Sequence, residues 1–234
     1  MENPVLRGDL RARSGSRKIW VLQAVYLGML GALVFLGLPP ELGRFTESNE
    51  TSLYVAVLWV QIVMVAYFAS ACLIQEIAVE GEKAAIDLIF APFSPATIVI
   101  GKSVSSLVTI GYWLVLGAPL LVLTTAIRQI PTVSLLPTAS VIAVAAWGIA
   151  QIGLLYGVFF DAEFLRTVVH WATLLVIFVG TTLLPLPLHG LNPIVAVTDA
   201  ARGLLPAVPM ATYATIGVGC ALWTGQRLRS LAAG

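Results

Sequence analysis

Charge is scarce in this sequence: 13 Lys and Arg and 12 Asp and Glu among 234 residues, or 11%, beside 59% apolar residues. A soluble globular domain carries about a quarter charged residues, so that class is excluded. A mean hydropathy of +0.94 makes the chain an integral membrane protein. A net charge of +1 gives no reason to expect nucleic acid or another polyanion as partner. Cysteine is equally sparse, and Cys72 and Cys220 both stand inside apolar runs, where they pack rather than build a disulfide or metal framework. The two histidines, His170 and His189, lie a span's length apart without carboxylate or cysteine company, so no metal centre is expected. Gly-x-Ser-x-Gly, His-Glu-x-x-His and paired intramembrane aspartates are all missing, which speaks against an intramembrane protease or lipid-modifying enzyme.

What remains is apolar helix. Runs of about 20 residues suffice to cross a bilayer, and six are found: Ile19–Leu38, Leu53–Gln75, Pro95–Ile127, Pro137–Phe160, Thr167–Leu184 and Ala207–Gln226. The third is overlong and carries Pro119, an expected kink or break. Ten basic residues (Arg7, Arg11, Arg13, Arg17, Lys18, Lys83, Lys102, Arg166, Arg227 and Arg229) fall on one side of this layout, against Arg44, Arg128 and Arg202 on the other. The asymmetry places both termini in the cytoplasm of a cell inner (plasma) membrane. One domain uses residues 1–234: a cytoplasmic interfacial helix over 1–18, a six-span bundle over 19–226 and a cytoplasmic tail over 227–234. The basic arm opens with Asn3-Pro4, a helix start, and mixes Val5, Leu6 and Leu10 with arginines, as a helix lying on anionic headgroups would. A plain basic tail that only fixes topology is the alternative. The Pro- and Gly-interrupted stretch after the fifth span, 185–206, suits a pair of short re-entrant extracellular helices.

Between the second and third spans the chain concentrates what little charge it has. Glu76, Glu80, Glu82, Lys83 and Asp87 crowd into a short stretch in which Lys83 and Asp87 stand four apart and Ile86, Ile89 and Phe90 share the other side of a helix. Three turns are marginal alone in water, so such a helix must rest on the membrane or on another protein. On composition alone it could equally be an amphipathic loop that solvates a turn. Pro92 ends it, and Ser94-Pro95 caps the next span. Ala96 to Ser103 approaches a Gly-x4-Gly-Lys-Ser phosphate loop, but Ala96 stands where the first glycine belongs and an apolar span follows. Lys102 reads instead as a residue that snorkels to the boundary.

Inside the spans, Gln61 and Gln151 either bond across helices, the favoured expectation, or line a conduit. Asp161 and Glu163 near Arg166 form a solvated cluster or a second cytoplasmic contact, and Asp199 and Arg202 make an i,i+3 pair. Faces rich in Gly and Ala, around Gly28, Gly31 and Ala32, suit helix pairing between copies.

The order Glu80-Gly81-Glu82-Lys83-Ala84-Ala85-Ile86-Asp87-Leu88-Ile89, then Ala91-Pro92-Phe93-Ser94-Pro95 and Ile100-Gly101-Lys102, resembles the cytoplasmic segment of ABC-2 type transporter permeases. There two acidic residues and a basic one precede a Gly-Thr-Leu-Asp/Glu-Leu-Leu run, a Thr-Pro-Leu-Ser-Pro turn and a Gly-Lys pair. The opening from Asn3 to Arg13 is similar to the family's start, and Leu191-Asn192-Pro193 to its late extracellular motif. Ala84-Ala85 for Gly-Thr and Gly81 for a commonly basic residue are departures at the contact itself. The resemblance implies an all-α membrane subunit of a type V-like ABC transporter. Its coupling helix between spans two and three would meet a cytoplasmic ABC ATPase through Glu80, Glu82, Lys83, Ile86, Asp87 and Leu88. It further implies pairing with a second permease copy or a homologue, ATP and Mg handled only by the partner ATPase, no enzyme activity or bound cofactor in this chain, and export of an unidentified cargo. An apolar or amphiphilic cargo fits the conduit. The alternatives are an intramembrane enzyme or an ABC-driven component of membrane machinery that transports nothing.

Overall fold

A computed structural model describes residues 17–37, 52–80, 94–128, 132–160, 162–183, 185 and 188–232, with the helical backbone alone at 17, 18, 52, 75–80, 128, 132 and 232. Six of its helices are long and apolar enough to cross a membrane, and no strand occurs among the described residues. The helices are α1 Arg17–Leu36, α2 Ser52–Glu80, α3 Pro95–Arg128, α4 Leu135–Phe159, α5 Glu163–Phe178, α6 Pro193–Ala201 and α7 Ala207–Ala232. Single 3-10 turns occupy Thr132–Ser134, Gly180–Leu183 and Leu188–Leu191.

Helices α2 and α4 are apolar all round and form the centre of the bundle, as all-round apolar helices do. They run parallel: Tyr54 meets Thr138 near their starts, and Ser70 meets Gly153 near their ends. Close approach needs small residues. A Cβ on Gly153 would lie 3.0 Å from the Ser70 carbonyl oxygen, and one on Gly148 would lie 2.6 Å from the Tyr213 carbonyl oxygen of α7. The outer helices are one-faced. In α5 the buried residues are Arg166, His170, Leu174 and Phe178, one per turn. In α1 the buried residues Tyr26, Leu30 and Val34 follow the same spacing, while Gly28 and Gly31 face open space.

Several boundaries differ from those expected. Helix α3 runs unbroken through Pro119, so that proline makes no break. Helix α4 begins at Leu135 rather than Pro137; in the first turn a proline removes only an N–H that has no partner within the helix. Helix α5 begins at Glu163 rather than Thr167, which turns Arg166 from a loop residue into a helical one. Helix α2 continues through Glu80, and α7 continues through residues 227–232 instead of yielding to a tail. The described residues of 185–206 hold a short 3-10 helix, Leu188–Leu191, and one α-helix, Pro193–Ala201.

Candidate functional site

Of the predicted contact residues, Glu80 is the last residue of α2, while Glu82, Lys83, Ile86, Asp87 and Leu88 lie outside the described residues, as do Asp161 and the 1–16 arm. Glu163 is exposed in the first turn of α5. Gln61 and Gln151 are both fully buried but are not brought together.

Gln151 does what was expected of it. Its Oε1 accepts from Ser103 Oγ at 3.0 Å, and its Nε2 donates to Ser106 Oγ at 3.4 Å, joining α4 to α3. Gln61 is less well served: its one cross-helix polar partner is the Tyr26 hydroxyl of α1, met without good hydrogen-bond alignment. It sits beside Tyr26 at the α1–α2–α3 crossing, where Gly117 leaves room for both; a Cβ there would collide with the Tyr26 hydroxyl and lie 2.9 Å from Gln61 Nε2. The Tyr26 hydroxyl donates to the Trp113 carbonyl at 3.1 Å.

The inner face of α3 is polar over its first turns, with Lys102, Ser105, Ser106 and Thr109 all buried. Lys102 is 0% exposed and therefore does not snorkel; it lies on the stripe of α3 that turns inward. The eight residues from Ala96 to Ser103 are helical throughout, which leaves no loop to cradle a phosphate. At the same end of the bundle Ser70 of α2 meets His170 of α5, with Ser70 Oγ 3.1 Å from Nε2. Ser70 Oγ also lies 2.6 Å from the Ala66 carbonyl oxygen and 3.1 Å from that of Tyr67. Its single proton is committed to its own helix, so the oxygen accepts from His170 and Nε2 carries the imidazole proton. Tyr67 stacks on the His170 ring with centroids 6.3 Å apart and tilts against Trp171 at 5.0 Å.

One turn before His170, Arg166 is buried, and its Nε has no hydrogen-bond partner among the described residues. The solvated cluster expected around Glu163 and Arg166 is thus corrected: the carboxylate faces out, the guanidinium faces in, and no ion pair joins them. At 1.5 Å per residue, Arg166, His170, Lys102, Gln151 and Ser70 occupy a band about 5 to 15 Å from the ends of their helices.

The opposite end is held by Asn192. Its Oδ1 caps α6 by accepting from Ile194 N at 2.8 Å, Pro193 follows as the first helical residue, and its Nδ2 donates to the Phe178 carbonyl at 3.1 Å. Tyr213 Oη donates to the Leu191 carbonyl at 2.9 Å, and Trp59 Nε1 to Thr198 Oγ1 at 2.9 Å. His189 bonds the Thr182 carbonyl. Asp199 and Arg202 form no ion pair; the Arg202 backbone N–H instead reaches the Asp199 carbonyl at 3.0 Å as α6 ends. The cap could have been read from Asn-Pro ahead of an apolar run. The Ser70–His170 pair, separated by 100 positions, had no such signal.

No protein-family model matches the chain, and no curated protein matches it. Among the described residues no group of three or more His, Cys, Asp or Glu could hold a metal ion. Chemically, the 80/95 end offers a buried guanidinium, an ammonium and an imidazole in an apolar bundle. The 52/135 end is held mainly by neutral groups engaged with one another, with Asp199 and Arg202 at the end of α6.

Proposed function

We propose that this chain is the membrane subunit of an ABC-2 type exporter, working with a second permease copy or homologue and driven by a separate cytoplasmic ATPase. The reading is supported chiefly by α2. It has 29 residues, about 43 Å, and passes beyond its apolar part, Leu53–Ile74, into the acidic stretch as continuous helix to Glu80. The bilayer core is about 30 Å thick, so a rigid rod leads from the bundle centre toward the segment that carries Glu82, Lys83, Ile86, Asp87 and Leu88. A push delivered there would be passed to the central helix directly. In this reading both termini are cytoplasmic, residues 185–206 are the extracellular re-entrant element, and ATP and Mg stay with the partner.

A membrane-embedded hydrolase draws support from the Ser70–His170 contact. Against it, the proton runs from histidine to serine, and Ser70 is fully buried.

Co-purification with a candidate ABC ATPase tests the proposal. Complex formation and ATP-driven flux that an Ile86→Asp variant abolishes are expected; no complex, or unchanged flux in Ile86→Asp, overturns it. Labelling of wild-type chain but not Ser70→Ala by a fluorophosphonate probe would move the assignment to a hydrolase.

A further inference from the structure

Arg227 of α7 holds its guanidinium carbon 5.7 Å from the centre of the Phe159 ring, level with the last residue of α4 and of its apolar span. Trp223, one turn back on α7, meets the same ring edge-on with centroids 5.4 Å apart. Stacking on a ring uses the flat of a guanidinium and leaves its N–H donors, which lie in its plane, free to bond outward. Arg227 is exposed, and among the described residues its side chain makes no hydrogen bond or ion pair. Helices α4 and α7 contain no acidic residue, so the corner they share is cationic.

The apolar residues below this arginine stand on its own side of the helix. Positions i−4 and i−11 share a face with i, which sets Trp223 and Ile216, 57% and 37% exposed, in line with Arg227. On α4 the same spacing leads from Phe159, 39% exposed, back through the half-buried Leu155 and Ile152 to Gly148, which packs directly on the α7 backbone at Tyr213 and Gly217. The two rows are the banks of one interhelical furrow, running from the Gly148 contact to the ring pair under Arg227. A cation at the apolar boundary with its donors turned out, above a furrow at membrane depth, has the outline of an anionic headgroup with an acyl chain below it.

We propose that this α4–α7 corner binds an anionic phospholipid. The Arg227 N–H groups would fork onto the phosphate, Phe159 and Trp223 would lie just beneath it, and one acyl chain would follow the furrow. The site depends on the bundle spanning a membrane and not on the permease reading. Free phosphate offers the same oxygens but no chain for the furrow. The rival for the guanidinium is a carboxylate of this chain, Glu163 at the start of α5 or Asp161, which lies outside the described residues.

Native mass spectrometry of the full-length chain, purified with phosphatidylglycerol or phosphatidylcholine, reads the site directly. The wild type should retain phosphatidylglycerol preferentially, Arg227→Gln should lose about fivefold in that retention, and Arg227→Lys, which keeps the charge but not the fork, should fall between. Trp223→Ala should weaken retention of both lipids, because it removes a bank of the furrow and no charge. Arg229 is the control: it is exposed on the same helix but points about 160° away from Arg227. Arg229→Gln should retain lipid like the wild type, and losses of equal size in Arg227→Gln and Arg229→Gln overturn the proposal in favour of diffuse surface charge. No lipid preference in the wild type also overturns it, as does thermal protection by inorganic phosphate alone that equals protection by phosphatidylglycerol. A stability loss in Asp161→Asn or Glu163→Gln that vanishes in the Arg227→Gln background does the same, because the guanidinium then has an internal partner. Should Arg227→Gln fail to accumulate, quenching of Trp223 by brominated-chain phosphatidylglycerol, read as the difference between wild type and Trp223→Phe, decides. Quenching stronger than with brominated phosphatidylcholine upholds the site, and equal quenching overturns it.

Discussion

At the 52/135 end of the bundle, Asn192 uses both of its amide atoms, Tyr213 and Trp59 each find an acceptor, and Tyr54 reaches Thr138. At the 80/95 end, Lys102, Arg166 and His170 are buried, and Arg166 Nε and Ser105 Oγ lack hydrogen-bond partners among the described residues. The first end has the economy of a plug: mostly neutral groups of short reach bonded to one another. The second buries charged side chains, and buried charge within a membrane bundle is where function is sought. The face of α5 opposite Arg166 is open, with Phe164 79% exposed.

Both ends depend on the crossings between them, and the largest expected effect lies there. In Gly148→Val the new side chain would be driven into the Tyr213 carbonyl, whose oxygen is 2.6 Å from where the Cβ would sit, and into the neighbouring α7 backbone, which cannot swing aside as a side chain could. Overpacking of this kind costs about 3 kcal/mol, near the upper end of its range. Thermal unfolding in detergent should show the variant among the least stable, while Gly219→Val, whose Cβ meets open space, should stay close to wild type. Equal loss in both would mean that α4 and α7 do not approach as described.

Next in size is the plug itself. Asn192→Ala removes the α6 cap and leaves the Phe178 carbonyl without its donor, for a combined loss of about 2 kcal/mol. Asn192→Asp separates the two roles, because it keeps the capping oxygen and faces the Phe178 carbonyl with a second acceptor. If capping dominates, the aspartate variant should recover most of the stability; if the tie to α5 dominates, it should match alanine or fall below it.

How much of this is legible in the sequence follows from what each residue touches. Spans, and the apolar character of each, can be read because burial in lipid acts on composition over about 20 residues. Helix ends are less legible: Arg166 looks like a loop cation as long as a charged residue is placed outside the span, whereas its spacing with His170, Leu174 and Phe178 puts it on the buried stripe. Lys102 misleads in the same way. Gln151 is legible because a glutamine in a span needs a partner and serines lie on the facing helix. The same rule serves Gln61 less well, because the facing positions are Gly117 and a Tyr26 hydroxyl that already donates to Trp113 and can only accept. Long-range pairs such as Ser70 with His170 depend on which helices become neighbours, and no local pattern encodes that.

A smaller effect is expected at the 80/95 end. Gln151→Leu should uncouple α4 from α3 by removing the bonds to Ser103 and Ser106, leaving two hydroxyls that can turn back to their own helix, as Ser106 already does to the Ser103 carbonyl at 2.8 Å. Interhelical hydrogen bonds in membranes average about 0.6 kcal/mol, and a loss near that size in a folding equilibrium is the expected result. A double-mutant cycle with Ser103→Ala checks it: coupling indistinguishable from zero would leave Gln151 free to serve the conduit instead.

The smallest expected effect has the opposite sign. Gln61 is as deeply buried as Gln151, but its amide has been taken out of water without a hydrogen bond of normal geometry in return. Replacing such a group by an apolar one of similar shape removes a desolvation penalty rather than an interaction. Gln61→Met should therefore leave thermal stability unchanged or raise it by about 1 kcal/mol, where Gln151→Met should lower it. A clear loss in Gln61→Met would show that the amide has a partner in the working protein, and Tyr26 beside it is the group to vary next. Tyr26→Phe keeps the edge contact with Trp113, at a 5.1 Å centroid separation, while removing the hydroxyl. If it abolishes that loss, Gln61 and Tyr26 act as one polar unit at mid-membrane, and the contrast between a satisfied and an unsatisfied end would extend to the centre of the bundle.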